Sequence, residues 1–162
     1  MSSITPFLWF DGKAEEAARF YASIFPSARI LETRHYGEAG PGPEGSVMAV
    51  TLELLGQRFI ALNGGPQFQF SPAVSFFVEC DTEAELDDLW GRLLEGGKPI
   101  QCGWLTDRYG LTWQIVPKRL GAMLQDPDAA RAARVMRTMM SMVKLDVAEL
   151  ERAYAGARSA AE

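Results

Sequence analysis

One histidine, His35, and two cysteines, Cys80 and Cys102, are all that the 162-residue sequence offers of the side chains that most often hold zinc. The two cysteines form no metal-type cluster. Free thiols in a reducing compartment, the cytoplasm, are the expectation. Positive charge is short too, with 16 Lys and Arg against 21 Asp and Glu and a net charge of −5. A broad nucleic-acid footprint needs clustered cations, so no nucleic-acid partner is expected. No apolar run approaches the ~20 residues of a membrane span. The opening Met-Ser-Ser-Ile-Thr lacks the basic and apolar regions of a signal peptide, and no membrane partner is expected.

What is present is an ordinary globular balance, 48% hydrophobic and 23% charged. Ile4 to Phe10 reads as a buried strand, and Asp11 as the N-cap of a helix carrying Ala17, Phe20, Tyr21 and Ile24. Pro26 stops that helix. Strands follow over Arg29–Tyr36, Val47–Leu55 and Arg58–Leu62, with a Gly/Pro loop at Gly37–Gly45 and a hairpin turn at Gly56-Gln57. Asn63-Gly64-Gly65-Pro66 breaks the chain. The order then restarts. Val74–Glu79 is a strand, and Asp81 or Thr82 caps a helix with Leu86, Leu89, Trp90, Leu93 and Leu94. Strands over Pro99–Leu105 and Leu111–Val116 follow, joined by a turn at Asp107–Gly110.

Moving the first half forward by seventy positions sets Phe7 on Phe77, Asp11 on Asp81, Phe20 on Trp90 and Ile24 on Leu94. A shorter shift sets Gly56-Gln57-Arg58-Phe59 on Gly110-Leu111-Thr112-Trp113. Such self-similarity predicts a duplication. The fold class is α+β: tandem βαβββ modules, about residues 4–66 and 73–117, forming a curved mixed sheet whose concave face is a pocket. They make one domain over residues 1–118. Residues 119–162 form a helical tail. Pro127 and Asp128 open one helix with an apolar stripe of Val135, Met136, Met139, Met142 and Val143. Asp146 caps a second, which holds Leu150 and Tyr154. The stripe packs on its own domain, on a twin subunit or on a partner.

The duplicated order resembles the vicinal oxygen chelate superfamily of glyoxalase I, bleomycin-resistance proteins and extradiol dioxygenases. Thr5-Pro6-Phe7-Leu8-Trp9-Phe10-Asp11-Gly12, Ala61-Leu62-Asn63-Gly64-Gly65-Pro66, Gln101-Cys102-Gly103-Trp104-Leu105 and Asp107-Arg108-Tyr109-Gly110-Leu111-Thr112-Trp113-Gln114-Ile115-Val116-Pro117 are similar to its PhnB-like branch, labelled 3-demethylubiquinone-9 3-methyltransferase. The resemblance covers nearly the whole chain and implies a glyoxalase-like fold and a homodimer. It also implies a metal held by His, Gln or Glu, one from each of four strands. At the corresponding positions stand Thr5, Ile60, Ser75 and Gln114. One is apolar and none is charged, and His35 lies off the set. No metal and no cofactor are therefore expected.

Strand alternation puts Thr5, Phe7 and Trp9 on one face, with Ser75, Phe77 and Gln114 in the second copy. Either they line an aromatic pocket with neutral polar groups or they fill the core. Asn63 is a ligand-orienting amide or a turn residue. Cys102, beside Trp104, is a nucleophile if a base or cation adjoins it and otherwise an inert thiol. The candidate ligand-binding residues are thus Thr5, Phe7, Trp9, Asn63, Ser75, Phe77, Cys102, Trp104 and Gln114. Asp107 and Tyr109 are either ligand-facing or structural turn residues. Arg131, Arg134 and Arg137 read as a solvated helix face. Gly37-Glu38-Ala39-Gly40-Pro41-Gly42 is no phosphate cradle, because no helix follows it. The expected function is metal-independent binding of a small aromatic or hydrophobic molecule. The alternatives are an enzyme of the same superfamily (lyase, dioxygenase or isomerase) and the methyl transfer that the family label implies.

Overall fold

The computed structural model describes residues 1–156, so the last six positions of the expected tail lie outside it. The chain divides into two compact units, Met1–Phe70 and Ser71–Glu162.

The first unit runs β1 (Phe7–Phe10), α1 (Ala14–Ile24), β2 (Arg29–His35), β3 (Val47–Leu54) and β4 (Gln57–Asn63). Its sheet has the order β1-β4-β3-β2, with β1 parallel to β4 and the other neighbours antiparallel. Alternation splits each strand between two faces. Leu8, Phe10, Phe59 and Ala61 are buried with Ala14, Ala17, Ala18, Tyr21 and Ile24 of α1, whereas Phe7 stays 58% exposed. β1 starts at Phe7, three residues later than the sequence suggested, because Pro6 has no N–H to pair. β2 is exposed along its whole length.

The expected Asp11 cap is not formed. Lys13 holds the N-cap position without a side-chain cap bond, and the Ala14 N–H is instead donated to Asn63 Oδ1 at 2.8 Å. The Gly/Pro loop after β2 is built around Tyr36. A Cβ on Gly40 or Gly42 would fall 2.7 or 2.3 Å from that ring, so the loop lies flat against it.

The second unit repeats the order as β5 (Ser75–Cys80), α2 (Glu83–Leu94), β6 (Lys98–Pro99), β7 (Trp104–Thr106) and β8 (Thr112–Pro117). The sheet order β5-β8-β7-β6 reproduces the first unit, again with one parallel pair, β5 with β8. Thr82 caps α2 by accepting the Glu85 N–H, and Glu85 reaches back to the Asp81 N–H. The run read as one strand over Pro99–Leu105 is two strands. The chain turns between them, with Cys102 and Gly103 in the left-handed region at φ 56° and 83°. That turn supplies the fourth strand of the second module.

Three helices follow: α3 (Leu120–Leu124), α4 (Ala129–Met140) and α5 (Val147–Ala155). Asp128 and Asp146 cap the last two as their sequence positions suggest. α3 was not anticipated. α4 stops at Met140, which leaves Met142 and Val143 in the connection. The helices pack on their own unit. Leu120, Met123, Val135, Leu145 and Leu150 form one cluster with Val116 of β8, flanked by Met139, Met142 and Tyr154. Each fully buried aliphatic there contributes about 1.5–3 kcal/mol. Met136 and Met140 point outward. Of the three arginines read as a solvated face, Arg137 is exposed, Arg131 is partly exposed and lies over the Tyr154 ring, and Arg134 instead donates to the Ala153 and Tyr154 carbonyls that end α5. Among the described residues no helix is long and apolar enough to cross a membrane.

Candidate functional site

Register brings four of the candidate residues together on one face of the second sheet. Phe77 stands beside Gln114, and Gln114 beside Trp104, in a row across β5, β8 and β7. Residues side by side in neighbouring strands lie about 5 Å apart, so the row is continuous. Gln114 Nε2 donates to Ser75 Oγ at 2.9 Å. That bond uses the serine oxygen as acceptor and leaves its O–H free to donate. Gln114 keeps its carbonyl oxygen and a second N–H. Phe77 is 59% exposed, and Ser75, Gln114 and Trp104 are half-buried. The opposite face, with Val78, Cys80, Trp113 and Ile115, is closed. Next to the row stand Ser75, Thr112 and Thr106 in register. The Thr112 hydroxyl is buried with no hydrogen-bond partner among the described residues, a feature that strand alternation does not signal.

In the first sheet the duplicate row is Phe7 beside Ile60, and Trp9 beside Leu62. Ile60 thus stands to Phe7 as Gln114 stands to Phe77. Thr5 is half-buried and precedes the strand. Trp9 is held from several sides. Its Nε1 donates to Gly65 O at 2.8 Å, and Phe68 meets its ring edge-on at 4.9 Å. A Cβ on Gly64 would lie 2.4 Å from the indole, so only glycine lets this turn close over it. Asn63 is equally engaged. It caps α1, its Nδ2 donates to Val47 O at 3.0 Å, and its own carbonyl accepts the Tyr36 hydroxyl at 2.5 Å. Tyr36, Asn63, Gly64 and Gly65 border a cleft of about 550 Å³ between the Pro41–Pro43 loop and the start of α1. Tyr36 was missed by the sequence reading. An aromatic residue just before a glycine-rich loop was the available signal.

Cys102 sits on the turn before β7, half-buried, with its Sγ 3.6 Å from Met140 Sδ. Cys80 is buried, and burial, then Glu85 and Asp81, pushes its thiol up to about 11. It stays protonated at neutral pH and is a poor nucleophile. Asp107 is a structural hub. Its Oδ1 accepts the Tyr109 and Leu111 N–H groups, and its Oδ2 accepts Trp113 Nε1–H at 2.9 Å.

The superfamily's metal site does not fit the residues in place. Ile60 has no lone pair, and Thr5, Ser75 and Gln114 offer only neutral hydroxyl and amide oxygens. Among the described residues no three His, Cys, Asp or Glu side chains converge as a metal set.

Two βαβββ units whose four-stranded sheets share one strand order define a protein of the glyoxalase/bleomycin-resistance/dioxygenase fold. The chain belongs to the 3-demethylubiquinone-9 3-methyltransferase family, whose model matches residues 2–116. It is similar to a structure described as a putative 3-demethylubiquinone-9 3-methyltransferase, a PhnB protein from Bacillus cereus. Identity is 39% over 72% of this chain and 98% of that one, with a TM-score of 0.65. A protein from Pseudomonas aeruginosa, PA1353, shares the fold at 23% identity over 72% of this chain and 97% of that one, with a TM-score of 0.59. Among curated proteins nothing matches.

Proposed function

We propose that this chain is a binding protein for a small planar or apolar molecule, which lies against the partly exposed face of the second sheet that carries Phe77, Gln114 and Trp104, without a metal. The observation that carries the reading is the row Phe77–Gln114–Trp104, with Gln114 hydrogen-bonded to Ser75. Two aromatic side chains provide apolar contact on either side of a neutral amide. The amide and the serine hydroxyl offer one acceptor and two donors. Such a surface orients a ring that carries a carbonyl or hydroxyl group. Cytoplasmic residence and assembly as a homodimer belong to the same proposal. The latter predicts twice the 17.9 kDa chain mass in solution.

The family description supports a second reading, methyl transfer to such a ring. Against it, the dinucleotide-type cofactor folds use a largely parallel sheet with a glycine-rich first turn, and each sheet here has a single parallel pair.

A thermal-shift screen of neutral aromatic compounds tests the first reading. A ligand at a hundred times its Kd adds about 2.7 kcal/mol, a rise of several degrees for a chain of this size. Phe77→Ala and Gln114→Ala are expected to weaken a hit about tenfold. A screen without hits, or hits that ignore both substitutions, defeats it. Calorimetry with S-adenosylmethionine decides the second reading: heat of binding supports it, and none at millimolar cofactor removes it.

A further inference from the structure

The family match ends at residue 116, before α3 begins. The helices beyond it nevertheless reach back to the turn that precedes Trp104. The connection between α4 and α5 offers two carbonyls to that turn: Met142 O accepts the Cys102 N–H at 2.9 Å, and Val143 O accepts the Gly103 N–H at 2.8 Å. Gly103 O accepts the Ile115 N–H at 2.8 Å, which ties the turn to β8 as well. Leu145 is 1% exposed and belongs to the cluster under β8. It packs against the bare α-carbon of Gly103, where an added Cβ would lie 3.0 Å from Leu145 Cδ1 and 2.9 Å from Ile115 O. Cys102 has no intrinsic preference for its φ of 56°. External contacts must hold it there, and the two carbonyls are such contacts. Trp104 follows directly, its N–H bonded to Gln101 O at 2.9 Å and its carbonyl to the Ile100 N–H at 2.9 Å.

We infer that Leu145 is a positioning residue for Trp104: through Gly103 and the Met142–Val143 carbonyls, the C-terminal helices set where this indole stands in the binding face. The functional consequence rests on the binding reading above. The segment beyond the family's matched stretch then tunes which ring shapes fit beside Gln114, a means of changing ligand preference without touching a ligand-facing side chain.

The test uses the full chain labelled with 5-fluorotryptophan. It has four Trp residues, and Trp→Phe variants assign their fluorine resonances. Leu145→Ala is expected to shift or broaden the Trp104 signal and leave those of Trp9 and Trp90 in place. It should also weaken binding of 2-naphthol about tenfold. Leu145→Met, which refills the space, is expected to restore both. If Leu145→Ala does not fold, Leu145→Val gives the same readings in smaller measure. An unmoved Trp104 signal in a folded variant overturns the inference, and so do four signals that move alike. If Trp104→Ala binds 2-naphthol as tightly as the parent while Leu145→Ala still displaces the Trp104 signal, the binding reading fails and the clamp stands.

Discussion

Asn63 Oδ1 accepts the Ala14 N–H at 2.8 Å across 49 positions of sequence. The last residue of β4 therefore caps the first helix, and Lys13, at the N-cap, contributes no side-chain bond. The same amide donates to Val47 O, so one side chain joins α1, β3 and β4. Asn63→Ala removes both bonds. The lost cap alone costs about 0.5–2 kcal/mol, and the second bond adds about 1 kcal/mol. A fall in melting temperature of several degrees is expected, with no change in aromatic-ligand affinity once the protein is folded. Weakened binding with unchanged stability would instead make Asn63 a ligand residue.

Asp107 is 3% exposed and accepts three N–H groups, from Tyr109, Leu111 and the Trp113 indole. Asp107→Ala leaves those donors without their acceptor, at a cost of about 3 kcal/mol or more. Asp107→Asn keeps one oxygen but turns an amide N–H toward a donor, so it also destabilises, by less. Urea denaturation followed by tryptophan fluorescence reads both. A variant at parental stability would show that the carboxylate is dispensable to the turn.

Folding moves the Cys80 thiol from its ordinary 9.0 up to about 11. The folded chain thus holds that proton more tightly than the unfolded chain does. The stabilising contribution is whole below the unfolded value and fades as pH rises from 9 toward 11. Between about pH 8 and about pH 10.5 the parent should lose stability that Cys80→Ala does not lose. Equal losses in the two proteins would contradict the shift. Iodoacetamide near neutral pH should label the half-exposed Cys102 and spare Cys80.

The sequence revealed the fold because the duplication repeats a local pattern. Phe7 and Phe77, matched by shift, occupy the same place, each beside the residue that the second shift pairs, Ile60 and Gln114. Caps made by a residue on its own helix, Asp128 and Asp146, were equally legible, because their partners lie within three positions. Features made by distant partners were not. The α1 cap comes from Asn63, the α5 C-terminus is closed by Arg134, and the break in the apolar run at Cys102–Gly103 is held by carbonyls about forty residues away. Composition alone made that run look like one strand. The grouping of Ser75, Phe77 and Gln114 followed from alternation. That of Trp104 with Gln114 required the register of β7 against β8.

β2 lies at the edge of the first sheet, seven residues long and exposed throughout. A flat edge of that length is a template on which other chains add strands and grow into fibrils. Its pairing with β3 slips twice, between Ile30 and Glu32 and between Arg34 and His35. Arg29 pairs with Glu53, and Arg34 with Glu32. The slips twist the edge, and the charges make it hostile to a neutral neighbour. The chain therefore carries its own protection against runaway polymerisation on the strand most in need of it.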